Sequence, residues 1–240
     1  MRQKVPPPRM VIFDMDLTLL DTSEIHMQGL THCFQTCLGV EPDLSTFDVT
    51  SGMPLDEIIG DLFRHIDVAY PVLTDTLLTA LRKAFALFYR EHITTLVRVF
   101  PGIPEVLSAL SERQYQLAVC SSKRRGIGEL ELQYTGLASF FPVTVFLGDV
   151  AHPKPAPDGI FRIMQLAELN PASPKEQVAM VGDTELDVAC AHNAGVCSVY
   201  AAWKWEQHTD SVRIQHEVPA DFTAQHPSDL LTWFPEYKAC

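Results

Sequence analysis

Short apolar runs alternate with helix-like segments along most of this chain, and that alternation limits the folds open to it. The candidate strands are Met10–Asp14, Gln116–Cys120, Val143–Leu147, Gln177–Val181 and Cys197–Ala201. The candidate helices between them are Ile103–Arg113, Asp158–Leu169 and Glu185–Ala194. Strands that alternate with helices predict a mostly parallel sheet with helices on both faces. The expected fold class is therefore α/β, with a Rossmann-like sheet.

One interval, residues 22–95, breaks the alternation. Its helical patterns are Ser23–Leu38, Pro54–Ile66 and Thr74–His92, and it contains no convincing strand. A segment of this length is too long for an ordinary crossover between two strands. We therefore predict an all-helical domain of residues 22–95, inserted after the first strand of an α/β core formed by residues 1–21 and 96–240.

Composition narrows the class of protein. The chain has 240 residues, of which 47% are hydrophobic, so it can bury a sizeable core. The net charge of -12 argues against nucleic acid and anionic membranes as partners. No apolar run is long enough for a membrane span and no signal-peptide pattern is visible, so we expect a cytoplasmic protein. The six cysteines include no CxxC pair, which favours packing roles over a zinc site or a disulfide framework. No pattern indicates the oligomeric state.

The first candidate strand ends in two aspartates, Asp14 and Asp16, within the stretch "MVIFDMDLTLLDT". Alternate side chains of an extended segment point to the same side, so both carboxylates can face one ligand. Burying an unpaired carboxylate is costly. The pair therefore predicts a ligand or a reaction at the end of this strand.

Polar residues also follow the other candidate strands. Ser121, Ser122 and Lys123 follow the second strand, Lys154 follows the third, and Asp183 and Asp187 follow the fourth. Ligands of open α/β sheets bind at the carboxyl ends of the strands, where these residues would meet. Asp14, Asp16 and Asp183 would form an all-oxygen cluster suited to Mg²⁺. Ser121 and Lys154 would offer a donor and a positive charge to phosphate oxygens.

The motifs resemble those of the haloacid dehalogenase-like hydrolases. "DMDLT" resembles the first motif of that family, and Ser121, Lys154 and "GDTELD" resemble the second, third and fourth motifs in the same order. The resemblance runs from Met10 to about Ala202, and the helical insert is similar to the family's cap. "FPGIPEVLSAL" and "GDTELDVACAHNAG" are most similar to its phosphoglycolate phosphatase-like branch. Many relatives have glycine where Leu17 stands.

The resemblance implies roles for the two aspartates of the first motif. Asp14 would be the nucleophile that forms an aspartyl phosphate. Asp16 would protonate the leaving alcohol and would then activate water. Ser121 and Lys154 would hold the phosphoryl oxygens, although a shift of one residue would put Ser122 in the place of Ser121.

The resemblance also implies a magnesium site. Mg²⁺ would be bound by Asp14, by the main-chain carbonyl of Asp16 and by Asp183, with Asp187 close by or acting through water. The implied activity is Mg²⁺-dependent hydrolysis of a small phosphorylated metabolite. Phosphoglycolate, pyrophosphate, nucleotides and sugar phosphates all remain open as substrates. The alternatives are a sugar phosphomutase of the same fold, an inorganic pyrophosphatase and a catalytically silent binding or regulatory protein.

Other conspicuous residues are expected to be structural. Lys123, Arg124 and Arg125 are predicted to be a solvated helix start, and His152 is predicted to be a loop residue. Trp203 and Trp205 are expected to pack in or beside the core.

Overall fold

The computed structural model describes residues 9–45, 53–66, 72–169, 177–204 and 219–236. The chain folds as two compact units. Residues 1–20 and 99–240 form the first, which we call the core unit, and residues 21–98 form the second, which we call the helical unit.

A six-stranded sheet organises the core unit. The strands of the described chain are β1 (Met10–Phe13), β2 (Leu20–Asp21), β3 (Arg98–Val99), β4 (Gln116–Arg124), β5 (Val143–Leu147), β6 (Val178–Gly182), β7 (Cys197–Ala201) and β8 (Phe222–Ala224). The spatial order is β5-β4-β1-β6-β7-β8, and neighbouring strands run parallel. β2 and β3 pair separately where the chain passes from one unit to the other.

β1 lies between β4 and β6, and its composition suits that place. Its four residues, Met-Val-Ile-Phe, are at most 1% exposed. Parallel strands that are covered on both faces are typically continuous apolar runs, because neither row of side chains reaches water. The carboxyl end of β1 therefore lies at the middle of the sheet edge, between the ends of β4 and β6.

The helices of the core unit connect its strands, and three further helices belong to the helical unit. In chain order the helices of the described residues are α1 (Ser23–Leu38), α2 (Leu55–His65), α3 (Asp75–Leu96), α4 (Ile103–Glu112), α5 (Arg125–Tyr134), α6 (Asp158–Leu166), α7 (Glu185–Ala194) and α8 (Leu230–Trp233). α6 contributes Ile160 and Ile163, and α7 contributes Cys190 and Ala191, to one apolar cluster with strand residues such as Met180. Burial of this cluster holds α6 and α7 against the sheet.

The helical unit is formed by α1, α2 and α3, and α1 packs along α3. Gly29 of α1 makes the close approach possible, because a Cβ atom there would lie 2.9 Å from Cε2 of Phe85. Tyr89 is fully buried beside Phe85, and the His26 ring stacks on Phe85 with centroids 6.0 Å apart. The α1–α3 interface is therefore an aromatic core belonging to the helical unit itself.

Many observed elements follow the predicted ones closely, but β4 and α3 continue further, and no bounds were predicted for β2, β3, β8, α5 and α8. β5, β7, α1 and α7 have the predicted bounds. β4 continues four residues beyond Cys120 to Arg124, and its pairing with β5 is irregular there. β8 was not predicted, because Phe-Thr-Ala is too short to form a recognisable apolar run. The α/β class with a mostly parallel sheet is confirmed.

Within the residues that the structure describes, no helix combines the length and the apolar character needed to cross a membrane.

We predict that Gly128→Ala destabilises the core unit by about 1–3 kcal/mol, because the added methyl group overpacks a filled site. A Cβ atom at Gly128 of α5 would overlap the Phe146 ring of β5. Gly126→Ala is the matched control, since it lies in the same helix with no heavy atom within 4 Å of its Cβ position. Urea unfolding should show a loss of stability for the first variant alone. Equal stabilities of the two variants would contradict the packing described for α5.

Candidate active site

Asp14 directly follows β1 and is only 6% exposed. Its backbone N–H donates to the Val181 carbonyl at 2.9 Å, which continues the pairing of β1 with β6 beyond the last strand residue. The side chain of Asp16 is more accessible, at 27% exposed. The two carboxylates of the first motif thus lie at the middle of the sheet edge in different environments.

The turn after Asp16 has an unusual backbone at Leu17, whose φ is 57°. This left-handed conformation is natural for glycine and costs other residues about 1–2 kcal/mol. The Leu17 N–H donates to the Leu20 carbonyl at 2.7 Å, and the side chain is 3% exposed. Glycine would adopt this conformation without strain, and burial of the Leu17 side chain offsets the strain that leucine bears here.

Lys154 joins two of the buried carboxylates. Its Nζ donates to Oδ1 of Asp14 and to Oδ1 of Asp187, each at 2.6 Å. Burial would lower the pKa of Lys154, but Asp14 and Asp187 raise it well above its ordinary value. For Asp14, burial raises the pKa well above its ordinary value and Lys154 lowers it only in part. The ammonium of Lys154 therefore stays charged, and it stabilises negative charge on its two partners.

Asp183, at the end of β6, is held by two donors. Thr18 Oγ1 donates to its Oδ1 at 3.0 Å, and Lys204 Nζ donates to its Oδ2 at 2.6 Å. Burial raises the pKa of Asp183 to about 6, against the lowering effect of Lys204. Thr18 is itself anchored, because its carbonyl accepts a hydrogen bond from Nε1 of Trp203 at 3.0 Å.

Asp187 occupies the first turn of α7, where it completes a capping box with Thr184. Its Oδ2 accepts from Thr184 Oγ1 at 2.6 Å and from the Thr184 N–H at 3.1 Å. Gly182 lies against this carboxylate so closely that a Cβ atom would overlap it. Glycine is therefore required at the end of β6 to let the Asp187 side chain turn back towards the sheet edge.

Asp14, Asp183 and Asp187 together form a cluster that could hold a metal ion. One oxygen from each lies within 4.8 Å of the other two, and all three residues are buried. Carboxylate oxygens are the protein ligands that Mg²⁺ prefers, so the donor set fits that ion. The Asp16 side chain is not part of this cluster. Its predicted contribution to a metal site, through the main-chain carbonyl, stays a prediction.

Ser121 and Ser122 lie near the end of β4, where they line a small pocket together with Lys154 and His152. Ser121 is buried, and its Oγ accepts from the Lys123 N–H at 3.2 Å. Ser122 is half-buried. Both serines thus line the same pocket as Lys154, and the choice between them stays open. His152 is largely exposed and contacts Asp158, as a loop residue would.

The sequence-based prediction for Lys123 was wrong. Instead of being solvated at a helix start, its side chain is 7% exposed and lies within β4. Nζ donates to Asp16 Oδ1 at 2.7 Å and to both carboxylate oxygens of Glu131 at 2.6 and 2.7 Å. Burial would lower the pKa of Lys123, but Asp16 and Glu131 raise it above its ordinary value.

The sequence analysis missed two charged residues that contact the site, Glu131 and Lys204. A signal for each was nevertheless present. Glu131 occurs on the same face of α5 as the buried Gly128 and next to the buried Leu132, a pattern that indicates a buried position. Lys204 follows β7, so inspection of the residue types after all the predicted strands would have included it. Of the two tryptophans, Trp203 is buried as expected, and Trp205 lies outside the described residues.

We predict that Lys123→Met destabilises the protein by about 3–5 kcal/mol, because it removes the ammonium from a buried carboxylate. Glu131 is fully buried, so its charge depends strongly on that contact. The double variant Lys123→Met/Glu131→Leu should recover much of the loss in urea unfolding. Arg162→Met, at an exposed position of α6, serves as the control and should change stability by about 0.5 kcal/mol or less. If Lys123→Met were as stable as the wild type, the result would contradict the buried ion pair between Lys123 and Glu131.

Comparison with known proteins identifies the family of the chain. The model of the haloacid dehalogenase-like hydrolase family matches residues 11–201. A probable phosphatase, IndB, of Dickeya dadantii is 33% identical over 204 residues, which cover 81% of each chain. The pyrophosphatase PpaX of Bacillus cereus is 27% identical over 226 residues, which cover 92% of this chain and 94% of the relative.

A solved structure shows the same fold. The crystal structure of a predicted phosphoglycolate phosphatase from Haemophilus somnus superimposes with a TM-score of 0.77 at 18% identity. The match covers 97% of this chain and 99% of that chain. The family match over residues 11–201 and the relative that is 33% identical show that the chain belongs to the haloacid dehalogenase-like hydrolase family, as the order of its motifs predicts.

Proposed function

We propose that this haloacid dehalogenase-like phosphatase depends on Mg²⁺ and hydrolyses small phosphomonoesters through an aspartyl phosphate on Asp14. The observation that carries the proposal is the environment of Asp14. Its carboxylate is buried, contacts Lys154 at 2.6 Å, and clusters with two further carboxylates at the end of the central strand. Such a group is held in one orientation and is kept reactive by a fixed positive charge.

Asp14 would attack the phosphorus atom with one carboxylate oxygen. The new oxygen–phosphorus bond forms as the bond from phosphorus to the leaving oxygen breaks. Lys154 holds Oδ1 of Asp14, which orients the carboxylate for in-line attack. The same ammonium and one of the hydroxyls of Ser121 and Ser122 would stabilise charge on the phosphoryl oxygens, because all three residues line one pocket.

Asp16 would move the protons of both half-reactions. In the first it donates a proton to the leaving alcohol, and in the second it accepts one from the water that attacks the phosphoenzyme. Lys123 donates to its Oδ1 at 2.7 Å and thereby orients the carboxylate. The partial exposure of Asp16, in contrast to Asp14, is consistent with a group that must reach substrate and water.

Asp14 and Asp183 would hold the magnesium ion, with Asp187 close enough to act directly or through water. When bound, Mg²⁺ would neutralise charge on the phosphoryl group and on the clustered carboxylates. Thr184 fixes Asp187 and Thr18 fixes Asp183, so the ligands keep their positions before any ion arrives. The helical unit carries none of the residues assigned to the reaction, and we assign substrate selection to it, as the resemblance to a cap implies.

Inorganic pyrophosphate is the second candidate substrate, because one relative is named a pyrophosphatase. A panel of phosphorylated metabolites that includes pyrophosphate and p-nitrophenyl phosphate separates the two, with kcat/KM as the measure. We expect the highest kcat/KM for a phosphomonoester. The highest value for pyrophosphate would change the substrate class and keep the site, whereas no turnover of any compound would contradict the proposal.

We predict that Asp14→Asn lowers kcat by at least about a hundredfold, because the amide cannot act as the nucleophile. The fold should survive, since burial disfavours the charged form of Asp14 and the amide has nearly the same volume. Steady-state kinetics and circular dichroism provide the two readouts. Glu129→Gln, which changes a carboxylate in an exposed ion pair of α5, is the control and should keep full activity. A folded Asp14→Asn protein with more than about one per cent of wild-type kcat would exclude covalent catalysis by Asp14.

We also predict that EDTA removes the activity and that Mg²⁺ restores it. Ca²⁺ should inhibit the magnesium-loaded enzyme, because it prefers longer bonds and more ligands and so alters the in-line geometry. The test is an initial-rate titration of each ion into protein stripped of metal. Undiminished turnover in EDTA would show that the carboxylate cluster works without a metal ion.

A further inference from the structure

Lys204 is a buried lysine that contacts the carboxylate cluster and that none of the predicted motifs includes. It follows β7, and its Nζ donates to Oδ2 of Asp183 at 2.6 Å. The two side chains are 5% and 1% exposed, so the contact is shielded from water. In such surroundings the interaction between charges is much stronger than at a surface.

Asp183 is also one of the proposed metal ligands, so a bound metal ion would contact one of its carboxylate oxygens. Thr18 already donates to Oδ1, and Lys204 donates to Oδ2. A divalent cation at this carboxylate would therefore meet a positive charge already attached to the same group. Two cations that bind one carboxylate in a shielded site repel each other, so each weakens the binding of the other.

The charges of the three clustered carboxylates and of the two lysines that contact them lead to the same conclusion. Asp14, Asp183 and Asp187 supply three negative charges when ionised, and Lys154 and Lys204 supply two positive ones. A divalent ion added to this set leaves an excess of positive charge. Without Lys204, the bound divalent ion would bring the net charge of the set to zero, so the ion would bind more tightly.

We propose that Lys204 is an internal counter-ion of Asp183 that competes with the divalent metal and thereby weakens metal binding. The inference rests on the proposed metal site and adds a residue that sets its affinity. Lys204 would affect the metal ion only through the carboxylate of Asp183, so we describe it as a positioning residue. In the metal-free protein the ammonium stabilises Asp183, and metal binding moves it away from Oδ2.

The test is the Mg²⁺ dissociation constant of Lys204→Met, measured by isothermal titration calorimetry at pH 8 with no substrate present. The variant should bind Mg²⁺ at least about fivefold more tightly than the wild type, because a repulsive partner is removed. Its metal-free form should melt at a lower temperature, and Mg²⁺ should raise its melting temperature by more than it raises that of the wild type.

Thr18→Val is the matched control, since it removes the other donor of Asp183 and leaves the charge unchanged. It should not bind Mg²⁺ more tightly than the wild type. Lys204→Gln is the second variant in case Lys204→Met fails to fold, because glutamine can still donate to Asp183 without a charge. It should show the same gain in metal affinity.

The outcomes separate the two proposals. Equal or weaker Mg²⁺ binding by the folded Lys204 variants, with measurable binding by the wild type, overturns the competition and leaves the metal site intact. A similar gain in Thr18→Val also overturns it, because the effect would then not depend on charge. Absence of Mg²⁺ binding in every protein overturns the metal site and the competition together.

Discussion

The burial of negative charge at the carboxyl ends of β1 and β6 is the constraint on which the rest of the site depends. Asp14, Asp183 and Asp187 are each at most 6% exposed, and one oxygen of each lies within 4.8 Å of the others. Carboxylates so close together and so poorly solvated repel each other and would take up protons unless positive charge is nearby. Lys154 and Lys204 supply that charge from inside the protein. The proposed magnesium ion would add to it during turnover.

The parallel sheet makes this concentration of charge possible. β1 is flanked by β4 and β6, and loops far apart in the sequence therefore meet at its carboxyl end. A second set of charges, formed by the partly exposed Asp16 and the buried Lys123 and Glu131, lies beside the first and ties α5 to the turn after β1. Each acid of the first motif thus has its own lysine. That separation suits two carboxylates with different proposed roles, because each acid has a different cation in direct contact.

Much of this arrangement could be predicted from the sequence, because strand patterns and the residues that follow them are local features. β5, β7 and α7 have the predicted bounds, and the order of motifs indicated the family. Lys123 could not be placed correctly, because its burial depends on Glu131 in the following helix and on Asp16 in a distant loop. The contact of Lys204 with Asp183 likewise joins the segments that follow two different strands, and no local pattern encodes it.

The formation of a phosphoenzyme on Asp14 is the central claim, and chemical trapping tests it most directly. Protein mixed with a saturating phosphomonoester and Mg²⁺ is quenched during turnover and reduced with borohydride, which converts an aspartyl phosphate into homoserine. Peptide mass spectrometry then locates the modified residue. Homoserine is expected at position 14, and only when substrate and Mg²⁺ are both present. The proposed mechanism would be contradicted if turnover produced no homoserine at position 14, or if homoserine replaced a different aspartate.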